Sequence, residues 1–150
     1  MVVVTGHIGS WDVAAKGLRE LDCQVHVVMS REMDTATQAF VAAARERAGV
    51  QVVLSDASVF SSLSLIRALQ RNEIVAIQLD RSAGAGGVRT LPFLGASAAF
   101  PSGPFVLARL AGSPIVPVFA PRVGRRHYRI HIGRPVQVPQ PPVTLDRYLA

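Results

Sequence analysis

Short apolar runs, rich in β-branched residues, recur along this chain and alternate with stretches of helical spacing. Runs of this kind are typical of buried strands. They are Met1–Val4, Gln24–Met29, Val50–Leu54, Ile74–Leu79 and Ile115–Ala120. Helices are predicted over Trp11–Leu21 and Asp34–Ala48, and from Pro101 to Leu110 with Ser102 as cap. A further helix, for which Ser55, Asp56 and Ser58 offer caps, is predicted to reach about Arg71. The alternation predicts an α/β fold: a mixed, mainly parallel sheet flanked by helices, in one domain over residues 1–150.

The segments between these elements are more irregular. Ser82–Gly87 is a Gly/Ala loop, and Val88–Phe93 is predicted to be extended. Tyr128–Ile132 alternates apolar and polar residues, which predicts a strand with one solvated face. The prolines in Pro135–Val143 exclude a helix or a central strand there.

Composition narrows the class of protein. Hydrophobic residues make up 49 % of the sequence, but no run approaches the ~20 apolar residues that span a bilayer. The single cysteine, Cys23, implies no disulfide and is predicted to fill the core. Of the 16 basic residues only Lys16 is a lysine, and the net charge is +6. This bias can reflect genomic composition, or guanidinium groups selected for phosphates, anionic lipid surfaces or acidic carrier proteins.

A histidine lies on the turn that follows the first predicted strand. Gly6 and Gly9 flank His7, and Ser10 is a good cap for the helix that begins there. Asp12 falls in the first turn of that helix. The glycines would let the chain bend so that the carboxylate grips one ring nitrogen while the other takes a proton. Alternatively, Asp12 complements the helix dipole and His7 is an ordinary loop residue.

Other site chemistries find little support in the sequence. The glycine-rich Gly84–Gly87 lacks the ending of a phosphate-binding loop. His127 and His131 would be about 13 Å apart on a strand, too far to share a metal ion. There is no nucleophile elbow and no interleaving of basic and aromatic residues. We therefore expect no metal, no cofactor and no nucleic-acid partner.

Four motifs, in order, carry a family resemblance. They are Gly6–Asp12 (GHIGSWD), Gln78–Gly95 (with QLDR and GGVRTLPFLG), Pro101–Ala108 (with PSGP and LA) and Gly112–Val118 (GSPIVPV). The chain resembles the bacterial lipid A biosynthesis acyltransferases, which are lauroyl/myristoyl transferases of the lysophospholipid acyltransferase superfamily, and the related phosphatidylinositol mannoside acyltransferases. One departure is that Pro92–Gly95 stands where glycerol-phosphate acyltransferase relatives have a Glu-Gly-Thr-Arg block.

The resemblance implies a fold and a reaction. The fold would be glycerolipid acyltransferase-like, and the reaction an O-acyl transfer from an acyl carrier protein or CoA thioester to a hydroxyl of a lipid A-type or other glycolipid or phospholipid acceptor. His7 would be the general base and Asp12 would orient its ring, with no acyl-enzyme. The alternative is a catalytically inactive lipid- or glycan-binding module on the same fold.

Arginines that follow predicted strands suggest where substrate phosphates bind. Arg31, Arg81 and Arg122 come after three such strands, whose carboxyl ends share the edge of the His7 turn in a parallel sheet. Asp80, beside Arg81, could hold a guanidinium in place. Arg47 ends a predicted helix, and the resembled family tends to have an arginine there. These residues are the predicted substrate-binding set.

The resemblance also implies a location. Family members carry an N-terminal membrane-anchoring part, which we expect to be missing from residues 1–150. The expected location is the cytoplasmic face of the bacterial inner membrane, with the protein peripheral or anchored through that missing segment and the membrane surface among its partners.

Overall fold

A computed structural model describes residues 1–10, 13, 14, 17, 22–29, 49–54, 59–80 and 87–139. The strands within these ranges are β1 (Val2–Thr5), β2 (Val25–Met29), β3 (Val50–Leu54), β4 (Ile74–Gln78), β5 (Val88–Phe93), β6 (Ala96–Pro101), β7 (Ile115–Phe119) and β8 (His131–Ile132). The helices are α1 (Val59–Gln70) and α2 (Gly103–Ala111). Residues 13, 14 and 17 are also helical, as predicted for the segment after β1. Neither α1 nor α2 has the length and hydropathy that a membrane-spanning helix requires.

Six strands form one sheet in the order β3-β2-β4-β1-β7-β8. The pairs among β1, β2, β3, β4 and β7 are all parallel, and β8 joins β7 antiparallel. Strands β5 and β6 form a separate antiparallel hairpin. The predicted α/β fold with a mixed, mainly parallel sheet is therefore confirmed.

Apolar side chains cover both faces of the large sheet. Val2 and Val4 pack with Leu65 of α1 and Ala108 of α2 on one face. Val3 belongs to a second cluster on the other face, with Ala14 from the segment after β1. Successive residues of a strand point to opposite faces, so a strand buried on both sides must be apolar at every position. Each buried valine contributes about 1.5–3 kcal/mol relative to an exposed one.

The neighbouring strands β1 and β4 mark a change of direction in the sheet. The chain leaves β1 towards β2 on one side and leaves β4 towards β7 on the other. The segment after β1 packs on one face of the sheet and α2 packs on the other, so the chain leaves the carboxyl ends of these two strands towards opposite faces. Open α/β sheets bind ligands at this edge. We therefore expect the functional site to include residues that follow Thr5 and Gln78, the last residues of β1 and β4.

Two strand predictions need correction. The sequence pattern does not indicate strand β6. In the structure Ala96–Pro101 pairs with β5, and a tight turn at Leu94 and Gly95 connects the two strands. The strand predicted over Tyr128–Ile132 is regular only in β8, which pairs with Val118 and Phe119 of β7, while Tyr128 makes an isolated bridge with Arg122. All five residues are exposed, so the prediction of a single solvated face is wrong. The predicted helix over Asp34–Ala48 lies outside the described residues.

Candidate active site

His7 lies two residues beyond β1, at the carboxyl edge of the sheet. Pairing between β1 and β4 continues past the strands, since the N–H of Leu79 donates to the carbonyl of Thr5 at 2.8 Å. The next residue on that side is Asp80, so its carboxylate is brought against the backbone of Gly6 and His7. Two segments far apart in the sequence thus meet at the carboxyl ends of β1 and β4.

Asp80 holds His7 through two hydrogen bonds. The backbone N–H of His7 donates to Oδ2 of Asp80 at 2.7 Å, and the imidazole Nδ1 lies 2.9 Å from Oδ1. An ionised carboxylate can only accept, so Nδ1 carries the proton in this contact. In the neutral ring, Nε2 then keeps its lone pair and can accept a proton. The contact sets both the orientation and the tautomer of the imidazole.

The carboxylate of Asp80 is well suited to remain charged. Partial burial by itself would raise the pKa of Asp80, but the hydrogen bonds from the backbone and the ring of His7 outweigh it and hold that pKa below its usual value. The side chains of His7 and Asp80 are 38 % and 41 % exposed. The pair is therefore both ordered and accessible to a substrate.

Gly9 allows the turn to pack against the end of β7. Its φ is +75°, and a Cβ at this position would lie 2.0 Å from the carbonyl oxygen of Ala120. The N–H of Ser10 donates to that same oxygen at 3.0 Å, and the carbonyl of Ser10 accepts from Ala14 in the first turn of the following helix. Only glycine fits such an approach. The turn that carries His7 is thus attached to both neighbours of β1.

An apolar cavity of about 30 Å³ lies on the face of the sheet that Ala14 covers. It extends to Thr5 and Gln78, the last residues of β1 and β4, and to Met29 at the end of β2. At this volume the cavity is far smaller than a ligand pocket of about 300–1,000 Å³, so it is a mainly apolar packing gap beside the His7 edge.

The structure describes only part of the predicted site. His7 and Asp80 come together, although the sequence placed Asp80 among the substrate-binding residues. The guanidinium of Arg122 donates from Nε to the carbonyl of Gly124 at 2.8 Å and from Nη2 to that of Arg125. The predicted residues outside the described ranges are Asp12, Arg31, Arg47 and Arg81. Their roles stay predictions.

No group of three or more His, Cys, Asp or Glu side chains in the described ranges could hold a metal ion. The partnership of His7 and Asp80 was missed because it depends on β4 lying next to β1, which strand order along the chain does not reveal. The one available signal was the position of Asp80 directly after a buried strand.

The fold and the site together define a class. A histidine oriented by a carboxylate at the carboxyl edge of an α/β sheet is an arrangement that enzymes use for general-base chemistry. Residues 1–143 match the profile of the family described as bacterial lipid A biosynthesis acyltransferase. The chain belongs to this family, as its sequence motifs indicated, and the family supports acyltransferase activity with a lipid acceptor. Comparison with curated proteins gives no significant match.

Proposed function

We propose that this protein transfers a fatty acyl group from an acyl carrier protein or CoA thioester to a hydroxyl of a lipid A-type or related glycolipid acceptor. The observation that carries the proposal is the contact of Nδ1 of His7 with Asp80, which leaves Nε2 available as a base. Family membership supports the acyl chemistry and the lipid acceptor.

The reaction needs no covalent enzyme intermediate. Nε2 of His7 takes the proton of the acceptor hydroxyl as its oxygen attacks the thioester carbonyl. A C–O bond forms, the C–S bond breaks, and the imidazolium returns the proton to the departing sulfur. The negative charge of Asp80 stabilises the imidazolium while it exists. The products are an ester and a free thiol.

We further propose that the protein acts at the cytoplasmic face of the bacterial inner membrane. The lipid acceptor of the family and the net charge of +6 support this location. Cytoplasmic leaflets carry anionic lipids, which attract basic proteins.

Replacing the base tests the reaction directly. The purified protein is incubated with acyl carrier protein and CoA thioesters of labelled fatty acids and with extracted lipids, and the products are identified by mass. We expect His7→Ala to lower the transfer rate by about 10²–10⁴-fold. The matched control is His131→Ala, which removes an exposed histidine of β8 and should leave the rate unchanged.

Two outcomes would count against the proposal. Full activity of His7→Ala with an unchanged pH profile would exclude His7 as the base. No transfer by the wild-type protein, with lipid binding retained, would favour the alternative of an inactive binding module.

A further inference from the structure

The hairpin of β5 and β6 carries an apolar tip in solvent. Leu94 is 90 % exposed and Phe93 is 52 % exposed. The ring of Phe93 packs edge-to-face on Phe100, with centroids 5.5 Å apart. Such exposed apolar groups at the end of a projecting element are typical of a contact surface.

The turn at this tip is unfavourable for the residue that occupies it. Leu94 and Gly95 have φ of +51° and +81°, the signs of a type I′ turn, whose first position prefers Asn, Asp or Gly. A leucine there has a strained backbone and gains no burial in exchange. Neither the geometry of the turn nor packing in the core therefore explains why a leucine occupies position 94.

The surrounding sequence has a strongly one-sided charge. Residues 81–145 include eight arginines and no Asp or Glu. Arg125, Arg126 and Arg129, in the segment after β7, are exposed. A segment that combines exposed hydrocarbon with arginines and has no carboxylate of its own is complementary to an anionic lipid bilayer.

The base of the hairpin and the arginines after β7 lie at the edge of the sheet that carries His7. The hairpin base is closed by Ser102, whose N–H and Oγ both donate to the carbonyl of Gly87. Helix α2 begins at the next residue and leads back to the start of parallel strand β7, so its first turn is at the edge where the parallel strands end. The arginines follow the end of β7 at the same edge.

We propose that the hairpin tip, Pro92–Ala96, inserts into an anionic lipid bilayer and that the arginines of residues 122–129 contact its headgroups. The inference rests on the proposed function, since it explains how a hydroxyl on a membrane lipid reaches His7. It assigns to the hairpin a role as the element that orients the site towards the membrane.

Leu94→Asn tests the tip without disturbing the fold. Asn-Gly is a preferred pair for a type I′ turn, so we expect the melting temperature to be unchanged or raised. Binding is measured by co-sedimentation with vesicles of phosphatidylethanolamine and phosphatidylglycerol. Because a leucine side chain no longer leaves water, binding should weaken about tenfold or more.

Leu110→Asn is the matched control. Leu110 is 60 % exposed near the end of α2, at the opposite edge of the sheet. The same change of side chain there should leave vesicle binding as in wild type. Absence of vesicle binding by wild type, wild-type binding by Leu94→Asn, or equal losses in both variants would each overturn the proposal.

Co-sedimentation with vesicles does not depend on catalysis, so membrane binding and acyl transfer are measured independently. An inactive protein whose tip binds vesicles would overturn the proposed reaction alone. An active protein whose Leu94→Asn variant binds vesicles like wild type would overturn the role of the tip alone.

Discussion

The contact between His7 and Asp80 joins residues 73 positions apart in the chain. Asp80 accepts from both the backbone and the ring of His7, so it holds the imidazole in position and supplies a countercharge. A carboxylate in this position serves catalysis mainly by stabilising the imidazolium and the correct tautomer. The sequence motif assigned the same role to Asp12, and the two assignments make different predictions.

We expect Asp80→Asn to lower the transfer rate by about 10²–10⁴-fold, because an amide has no charge to stabilise the imidazolium and can donate to Nδ1, which favours the wrong tautomer. The rate is measured with saturating thioester, alongside thermal unfolding. Asp22→Asn, which changes an exposed aspartate, is the control. If Asp12→Asn abolished transfer while Asp80→Asn retained the wild-type rate, the carboxylate partner of His7 in catalysis would be Asp12.

At the scale of secondary-structure elements, an ionic network joins β2, β4 and the end of α1 at the amino edge of the sheet. Nε2 of His26, which is 6 % exposed, lies 2.6 Å from Oε2 of Glu73. Arg71 donates to both oxygens of the same carboxylate, at 2.7 and 2.9 Å. The hydrogen bond from Arg71 lowers the pKa of Glu73, burial opposes this, and His26 reinforces it. The carboxylate thus ties together three elements at the edge away from His7.

We expect Glu73→Gln to lower the free energy of unfolding by about 1–3 kcal/mol at pH 7, because His26 loses a charged partner. The folded-state pKa of Glu73 lies below its unfolded value of about 4.3. Its contribution is therefore complete above the unfolded value and is lost as the pH falls through the folded value. Urea unfolding at neutral and acidic pH should show the difference from wild type narrowing with acid. A constant difference across this range would contradict the assignment.

The sequence predicts those strands whose own side chains are buried in the core, and it does not predict a strand that is stabilised mainly by pairing with its neighbour. Strands β1 to β4 and β7 are mostly apolar and β-branched, and their contacts with the apolar clusters on the two faces of the sheet leave that pattern in the sequence. Strand β6 consists largely of small residues with weak strand propensity, and its extended state comes from pairing with β5. The sequence did not predict the turn between β5 and β6, because Leu94 occupies a position where Asn or Gly is usual.

At the scale of the whole molecule, the two parts of the chain differ in charge. All but one of the 10 acidic residues fall in residues 1–80, whereas residues 81–145 have none. A basic segment without carboxylates of its own attracts anions over the range that ionic screening allows. The positive charge of residues 81–145 should therefore strengthen binding of the protein to anionic membranes.

We expect vesicle binding to weaken as salt rises, because the Debye length falls from about 10 Å at 0.1 M to about 3 Å at 1 M. Vesicles of phosphatidylcholine alone, which lack net charge, should bind less protein and show little dependence on salt. Co-sedimentation across a salt series measures both. Equal binding to the two kinds of vesicle at low salt would assign the association to hydrocarbon contact alone.

The α/β class, the five core strands, the His7 turn and the family all follow from local pattern or from motifs of neighbouring residues, so the sequence was enough to predict them. The position of β4 between β2 and β1, which brings Asp80 to His7, depends on how distant strands pack. The hairpin with Leu94 at its tip was likewise decided by pairing. Strand order in a sheet arises from packing between distant segments. The local sequence of a strand does not specify which of several similar apolar strands will lie next to it.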